Sequence, residues 1–443
     1  MLPQLAPVET DTVLPKKVDV VVIGGGIIGA STALYLAQRG VSVAICEKGE
    51  FGAEQSSRNW GWVRKMGRDP REFDLAIKSA DLWAELDALT GENTGFRRCG
   101  ITYFAETQQA MDGYARWLEF AKPAGIDSRM LNSEEIKAFA PGATRSWLGG
   151  MHTPSDAMAE PSLATSAIVA GARKFGAKAF RQCAVRGVEQ TNGRISAVVT
   201  EKGRIECSSA VLAGGGWSSL FAGNLGLRLP QLKFLANISW TAPIENGPDA
   251  CGSGPGFGFR RRYDGGYNIS MRSAHPVDIV PDSFRYYFDF RQALKHEKKA
   301  MRLRIGKRSF DELFMARRWK MDQVSPFEKN RILHPEPAHD ILDQAIVNIG
   351  ELFPALKNIK VLGKLGGLVD TTPDALPVIS EVDTIPGFYI STGFSGHGFG
   401  VATGAGHLVA DMITGAKPIF DPQPFRFSRF TDGSKIEHWP IGF

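Results

Sequence analysis

The first regular stretch of the chain is an uninterrupted apolar run, Val18 to Ile23, which predicts a strand buried on both faces. Gly24-x-Gly26-x-x-Gly29 follows at once, and apolar positions from Ala30 to Gln38 then recur at helical spacing. Beyond Gly40, the run VSVAIC predicts a second strand ending at Glu47. Strand, glycine turn, helix and strand together predict a dinucleotide-binding βαβ unit. In it Gly24 permits the tight turn, Gly26 lets the backbone approach a pyrophosphate, and Gly29 lets the helix pack closely. Glu47 stands where a carboxylate accepts both hydroxyls of a ribose. A 2′-phosphate there would meet a like charge, which argues against NADP and leaves FAD or NAD.

The same kind of signal recurs twice. Residues 161–176 predict a helix with Pro161 and Ser162 near its start, followed by the strand AKAFRQCAV and a hairpin turning at Asn192-Gly193. The run RIECSSAVLAGGGWSS predicts a buried strand ending in glycines 214–216, with Trp217 and Ser218 opening a helix. Near the C-terminus, Phe388 to Ser391 predicts a strand, and a glycine-rich turn separates it from a helix spanning about Phe399 to Ile413. Strand ends that carry glycines converge on the crevice of a single sheet. Between residues 231 and 362 the texture changes. LKFLANISWTAP, GFGFRRRYDGGYNISMRS and FRYYFDF predict strands, Asp264-Gly265-Gly266 a turn, and residues 292–320 helix. Residues 77–150 add helices and the strand FRRCGITYFAE.

The expected class is α/β. A Rossmann-like cofactor domain is assembled from the discontinuous segments 15–76, 151–230 and 363–420. An inserted substrate domain with a mostly antiparallel sheet comprises 77–150 and 231–362, and 421–443 form a tail.

Composition changes this picture little. With 443 residues, 43% hydrophobic and 22% charged, the chain suits a soluble two-domain protein. No run approaches the roughly 20 apolar residues of a membrane span, and the opening segment lacks a signal-peptide pattern, so a cytoplasmic location is expected. Five dispersed cysteines without a CxxC pair predict no metal site. The net charge of +5 is modest, but KHEKKAMRLRIGKR, Lys295 to Arg308, concentrates positive charge. That stretch reads as an exposed helix face, with steering of an anionic substrate or peripheral membrane contact as alternatives. No alternation of aromatic and basic residues suggests nucleic acid.

GGGIIGASTALYLAQRG with Glu47, then GAEQSSRN, AGGGWSS, GLVDTTPDALPVIS and GFSGHGFGVATGAG form an ordered set spanning residues 18–415. The set resembles the FAD-dependent D-amino-acid oxidase superfamily, particularly its glycine oxidase, sarcosine oxidase and D-amino-acid dehydrogenase branch. The resemblance implies that Gly24, Gly26, Ile27, Ile28, Gly29, Glu47 and Lys48 surround the ADP half of FAD. Ser56, Ser57, Arg58 and Asn59 then belong to the loop passing the pyrophosphate and ribityl chain, and Val185 meets the adenine. Gly214, Gly215 and Trp217 form the second strand end. Gly393, Ser395, Gly396, His397 and Gly398 approach the isoalloxazine, His397 serving through its backbone or as a proton-transfer group. Cys251 is the last cysteine, so the C-terminal third offers no thiol for covalent attachment and noncovalent FAD is expected.

The chemistry implied is transfer of a hydride from the α-carbon of a neutral amine to flavin N5, with hydrolysis of the imine to an oxo acid and an amine or ammonia. One departure matters. Relatives resembling glycine oxidase carry an arginine for the substrate carboxylate where this chain has Val369, followed by Asp370. Arg58, Arg64, Arg262 and Arg272 are the replacement candidates, because a guanidinium fork matches a carboxylate. Trp60 and Trp62 are candidates to roof the site, with Tyr263, Tyr267 and His275 as further polar candidates. The expected substrate is an N-substituted glycine such as iminodiacetate or sarcosine, with molecular oxygen as acceptor. The alternatives are a D-amino-acid or opine-type dehydrogenase using a quinone or partner subunit, and a flavoprotein subunit with a docking role. Oligomeric state is not legible in the sequence.

Overall fold

The computed structural model describes residues 5–271, 275–298 and 301–439. Its first layer is a six-stranded sheet in the order Val378–Glu381, Phe388–Thr392, Ser209–Leu212, Val20–Ile23, Val43–Cys46 and Lys178–Phe180. All neighbours are parallel except the first pair. The strand side-chain period of two divides the core. Val20 and Val22 face the cluster shared with helices Ile27–Gln38, Pro161–Lys174 and Gly398–Thr414, whereas Val21 and Ile23 face Val188, Ile195 and Phe221 on the opposite side. That opposite side is covered by an antiparallel meander, Val185–Thr191, Arg194–Thr200 and Gly203–Glu206. Asn192 and Gly193 turn its hairpin with φ of 52° and 77°, the left-handed pair a two-residue hairpin requires.

A second sheet has eight strands in the order Val361–Thr371, Leu232–Thr241, Tyr267–Ser270, Phe257–Arg261, Cys251–Gly254, Ile101–Ala105, Gly149–Thr153 and Arg129–Asn132. It is antiparallel apart from the pairing of Cys251–Gly254 with Ile101–Ala105. Helix His339–Leu352 covers one face, where Phe257, Phe259, Ile269 and Leu352 are buried together. The chain is thus α/β with one parallel-dominated and one antiparallel-dominated sheet.

Two local expectations are corrected. FRYYFDF is not a strand: it spans helices Pro281–Arg285 and Tyr287–Glu297, because Tyr286, Phe290 and Ala293 recur at helical spacing and are the residues buried. Residues 292–320 are not continuously helical either. Strand Met301–Arg304 interrupts them, and helix resumes only at Lys307–Leu313, after Ile305 and Gly306. Three expected domain boundaries fall inside elements: 76/77 within helix Phe73–Thr90, 150/151 within strand Gly149–Thr153, and 362/363 within strand Val361–Thr371. Helix Phe73–Thr90 packs on Gly398–Thr414, with the buried Trp83 indole donating to the Gly400 carbonyl at 3.1 Å.

Among the described residues no helix is long and apolar enough to cross a membrane, and no group of His, Cys, Asp and Glu is placed to hold a metal ion.

Candidate functional site

An elongated cavity runs from the C-terminal ends of the parallel strands to the inner edge of Val361–Thr371. Its walls include the strand-end residues Ile23, Cys46 and Leu212, and at the far end Gly367, Val369 and Asp370.

The glycine turn builds the first wall. Gly24 has φ +115°, and a side chain at Gly29 would place its Cβ 2.0 Å from the Gly24 carbonyl oxygen. Gly29 therefore serves helix-to-strand contact and does not itself reach the cavity, while Gly24, Gly26, Ile27 and Ile28 line it. Gly26 caps helix Ile27–Gln38, whose first turn carries no acidic residue, so the positive end of the helix faces the cavity uncompensated. The Ile27 amide donates to Ser56 Oγ at 2.9 Å, which keeps the helix start satisfied.

Glu47 lies on the same wall. One carboxylate oxygen accepts from the Gly25 amide and the other from the Gly49 amide, both at 2.7 Å. Burial pushes its pKa up against the pull of Lys48 and these two amides. Each oxygen retains an acceptor site for a ribose hydroxyl, so the open helix terminus and this carboxylate fit the ADP half of FAD. Lys48 also lines the cavity, but its ammonium is engaged by Glu54 at 2.6 Å and by the Asn330 and Arg331 carbonyls. Val185, Gly214, Gly215 and Trp217 complete this half, the Trp217 indole donating to Glu54 at 3.2 Å.

At the far end Gly396 and Gly398 line the cavity, whereas Gly393, Ser395 and Ser57 do not. The Gly393 amide donates to Asp370, the Ser395 hydroxyl takes the Thr372 amide, and the Ser57 hydroxyl turns back on the Glu54 carbonyl. The His397 ring also points away from the wall. Its Nδ1 lies 3.2 Å from the buried Glu72 carboxylate, and the Arg68 guanidinium donates to the His397 carbonyl at 3.4 Å. Burial, then the neighbouring Arg68 charge, pushes the His397 pKa down to about 4, so the ring is neutral near neutral pH. Burial opposes ionisation of Glu72 as well, yet His397, Arg68 and Arg64 together hold it below the ordinary carboxylate range. We assign the anion to Glu72 and leave His397 neutral, because the fixed positive charges nearby are the arginines. A ring so enclosed is not placed to exchange protons with a molecule in the cavity.

The four candidate cations separate clearly. Arg58 lines the cavity and is buried. Its guanidinium donates to the Ala53 carbonyl at 3.1 and 2.9 Å and to the Gly366 carbonyl at 2.9 Å, and among the described residues no carboxylate lies within ion-pair distance. Burial lowers its pKa. Arg262 is tied off the cavity by Asp264 at the strand turn, and Arg64 bonds the Met66 carbonyl. Arg272 lies outside the described residues. Asn59, also on the wall, braces the loop by donating to the Gln55 and Ser56 carbonyls.

Tyr263, Tyr267 and His275 are not on the wall. Tyr263 is exposed, Tyr267 is buried and donates to the Pro248 carbonyl at 2.8 Å, and the His275 ring lies 5.1 Å from that of Phe234. Trp60 and Trp62 do not roof the cavity either. Trp60 fills the space above Gly258 on the antiparallel sheet and meets Trp62 edge-on at 4.3 Å.

Sequence reasoning missed the polar knot at Asp370. This buried carboxylate accepts from Gln231 Nε2 at 2.6 Å and from the Gly393 amide at 2.8 Å, and Gln55 also bonds it. It missed Arg68 and Glu72 too. Their spacing of four in GRDPRE was the available signal, obscured by a proline between them that read as loop.

A family model described as FAD dependent oxidoreductase matches residues 19–412. The L-amino acid deaminase of Proteus myxofaciens, solved in complex with anthranilate, superposes with a TM-score of 0.94 at 34% identity, covering 98% of each chain. The sarcosine oxidase subunit beta of Arthrobacter sp. is 26% identical over 432 residues, which is 96% of this chain and 94% of that one. An iminodiacetate oxidase from Chelativorans sp. shares the fold with a TM-score of 0.69 at 19% identity, covering 92% of this chain and 98% of that one.

Proposed function

Because this chain belongs to the family of FAD-dependent oxidoreductases, we propose that it oxidises the C–N bond of an L-amino acid, releasing a 2-oxo acid and ammonia. Several of its relatives are named as oxidases or dehydrogenases of amines or amino acids. The observation that carries the finer reading is the nearly full-length correspondence with the Proteus L-amino acid deaminase at 34% identity. It moves the substrate away from the N-substituted glycine that the motifs alone favoured, and the iminodiacetate oxidase supports the fold only.

The chain's own groups divide the work. The amide end of helix Ile27–Gln38 and Glu47 would hold the ADP half of a noncovalent FAD, and the cavity wall at Gly396 and Gly398 would receive its ring system. When bound, FAD supplies the two-electron acceptor for the hydride that leaves the substrate's α-carbon. Arg58 takes the place of the family arginine absent at Val369. Two of its five N–H donors remain for a carboxylate, and its burial strengthens that pairing. The same fixed positive charge disfavours an ammonium beside it, so it holds the substrate amine in the neutral form that oxidation needs. Val369, Phe394 and Phe399 line the wall with apolar surface that excludes water.

A second reading rests on the sarcosine oxidase subunit: a secondary amine such as sarcosine, oxidised in a complex with other chains. Both are tested by following oxidised-flavin absorbance without oxygen while L-amino acids, their D-enantiomers, sarcosine and iminodiacetate are presented separately. Bleaching confined to L-amino acids is expected. Bleaching confined to sarcosine would replace the first reading with the second. Repeating the turnover in air assigns the acceptor, since peroxide marks oxygen and turnover only with a dye marks a quinone or protein.

A further inference from the structure

Between helix Lys307–Leu313 and helix His339–Leu352 the chain forms one helical turn, Pro326–Lys329, and is otherwise irregular. Connections beyond about 12–15 residues without structure of their own are uncommon in compact domains and usually serve a functional site. This one is laid across the cofactor half. The Trp319 indole donates to the Arg186 carbonyl at 2.7 Å and the Trp319 amide to Asn224 at 3.1 Å, which seats it on the meander and on helix Ser218–Asn224. Asn237 then takes the Ala338 amide at 2.8 Å and returns the chain to strand Leu232–Thr241 of the antiparallel sheet.

The middle of this segment, Ser325 to Leu333, closes on the loop that follows Glu47. The Lys48 ammonium donates to the Asn330 and Arg331 carbonyls at 2.9 and 2.8 Å, the Arg331 guanidinium donates to the Lys48 carbonyl at 3.0 Å, and the Leu333 amide donates to Glu54 at 3.0 Å. The fit is close enough that a Cβ on Gly49 would sit 2.3 Å from the Arg331 carbonyl oxygen. Phe327 is buried, lines the cavity together with Glu47, Val185 and Trp217, and stands edge-on to the Trp217 ring at 5.7 Å. The strap therefore supplies a wall of the ADP end that lies far along the chain from the βαβ unit.

Two ion pairs fasten it to the meander. Glu328 accepts the Arg186 fork at 3.0 and 2.8 Å, and the Ser325 amide and hydroxyl hold the same carboxylate at 2.8 Å. Arg331 forks onto Glu201, with one contact of 2.6 Å, and Glu201 also takes the Ala184 amide at 2.7 Å. None of Arg186, Glu201, Glu328 and Arg331 lines the cavity. These pairs join protein to protein, so they set the closure of the strap without touching the cofactor.

We propose that Ser325 to Leu333 form a clasp over the ADP half of FAD, with Phe327 as its cofactor-facing residue, and that the clasp opens at these two ion pairs to let FAD enter and leave. A gate and a fixed wall differ in kinetics. When FAD passes only through an open clasp, the observed entry rate scales with the open fraction, so loosening the fastening raises entry and release together. Loosening a fixed wall speeds release and leaves entry unchanged. The inference rests on FAD binding alone and is independent of which amine is oxidised.

Entry is measured by stopped-flow quenching of FAD fluorescence on the full-length apoprotein, and release by exchange of bound FAD for excess isotopically labelled FAD. Glu201→Gln and, separately, Arg331→Met are each expected to raise both rates by about fivefold to tenfold, with Kd changing less than either rate. Glu201→Gln keeps the side-chain shape and an acceptor for the Ala184 amide, so its fold is retained, as the apoprotein melting temperature checks. Faster release with unchanged entry would reduce the segment to a fixed wall and overturn the clasp. Unchanged rates in both variants would overturn it as well.

Discussion

Two residues near the far end of the cavity, Arg58 on its wall and His397 behind it, make the strongest demands on local chemistry. Arg58 is a buried cation whose donors reach only backbone carbonyls; Glu54 acts on it through space, and no carboxylate among the described residues pairs with it directly. Hydrogen bonds to charged groups are worth about 1.5–3 kcal/mol, so Arg58→Met is expected to lower kcat/KM by roughly tenfold to a hundredfold. Flavin absorbance should be retained and Arg58→Lys should recover part of the loss. If Arg58→Met instead releases FAD, the guanidinium is a brace of the loop and not a substrate clamp. His397 makes a prediction about pH. Unfolded, its ring titrates near 6.5, whereas in the fold it resists protonation down to about 4. The unfolded state therefore binds the extra proton over that interval, and stability fully present above pH 6.5 is lost as pH falls toward 4. At pH 5 the loss is about 2 kcal/mol. Glu72 has little effect on this comparison, because its ordinary and lowered pKa values both lie below that pH. Thermal melts at pH 7 and pH 5 should show a larger drop for the natural protein than for His397→Asn. Equal drops would mean that the ring is not held neutral.

At the scale of elements, the site depends on three connecting segments being held in register, and Asp370 holds them. It joins Gln55 after strand Val43–Cys46, Gln231 after helix Ser218–Asn224, and Gly393 after strand Phe388–Thr392. Gln231 extends the knot to the Gly215 carbonyl at 3.2 Å and to the Ser219 amide at 3.0 Å. Asp370→Asn would turn an amide N–H2, itself a donor, toward these donors, costing about 1–3 kcal/mol and weakening FAD binding. Fluorescence titration of the apoprotein should show that weakening, and an unchanged affinity would remove Asp370 from the site. The contrast with Gly24, Gly26 and Glu47 explains what the sequence made legible. Those residues act within one contiguous βαβ unit, where spacing alone fixes their geometry. Asp370 acquires its role only when segments more than a hundred residues apart meet, as its bond to Gln231 shows. The helical reading missed at FRYYFDF has the same origin. Its aromatic residues resemble a strand until burial singles out Tyr286 and Phe290.

At the scale of the whole molecule, the C-terminal tail connects the last helix back to the loop before strand Val378–Glu381. Phe425 is buried against the helical layer, and Arg429 forms a buried fork on Asp374, with contacts of 2.9 and 3.2 Å, while also donating to the Leu376 carbonyl at 2.9 Å. Asp374 closes the TTPDALP turn that follows strand Val361–Thr371, the strand whose inner edge walls the cavity. The tail thus fixes the turn from one sheet into the other. Removing one member of a buried ion pair costs about 3–5 kcal/mol because the other is left charged without a partner, whereas replacing both costs less. Arg429→Met is therefore expected to destabilise the protein strongly in urea melts, and Asp374→Asn combined with Arg429→Met to be milder than Arg429→Met alone. Additive losses would show that the two side chains act separately. Excess FAD should raise the melting temperature of the single variant, since a ligand present at a hundredfold over its Kd adds about 2.7 kcal/mol to the folded state, which offsets most of the damage done at the turn.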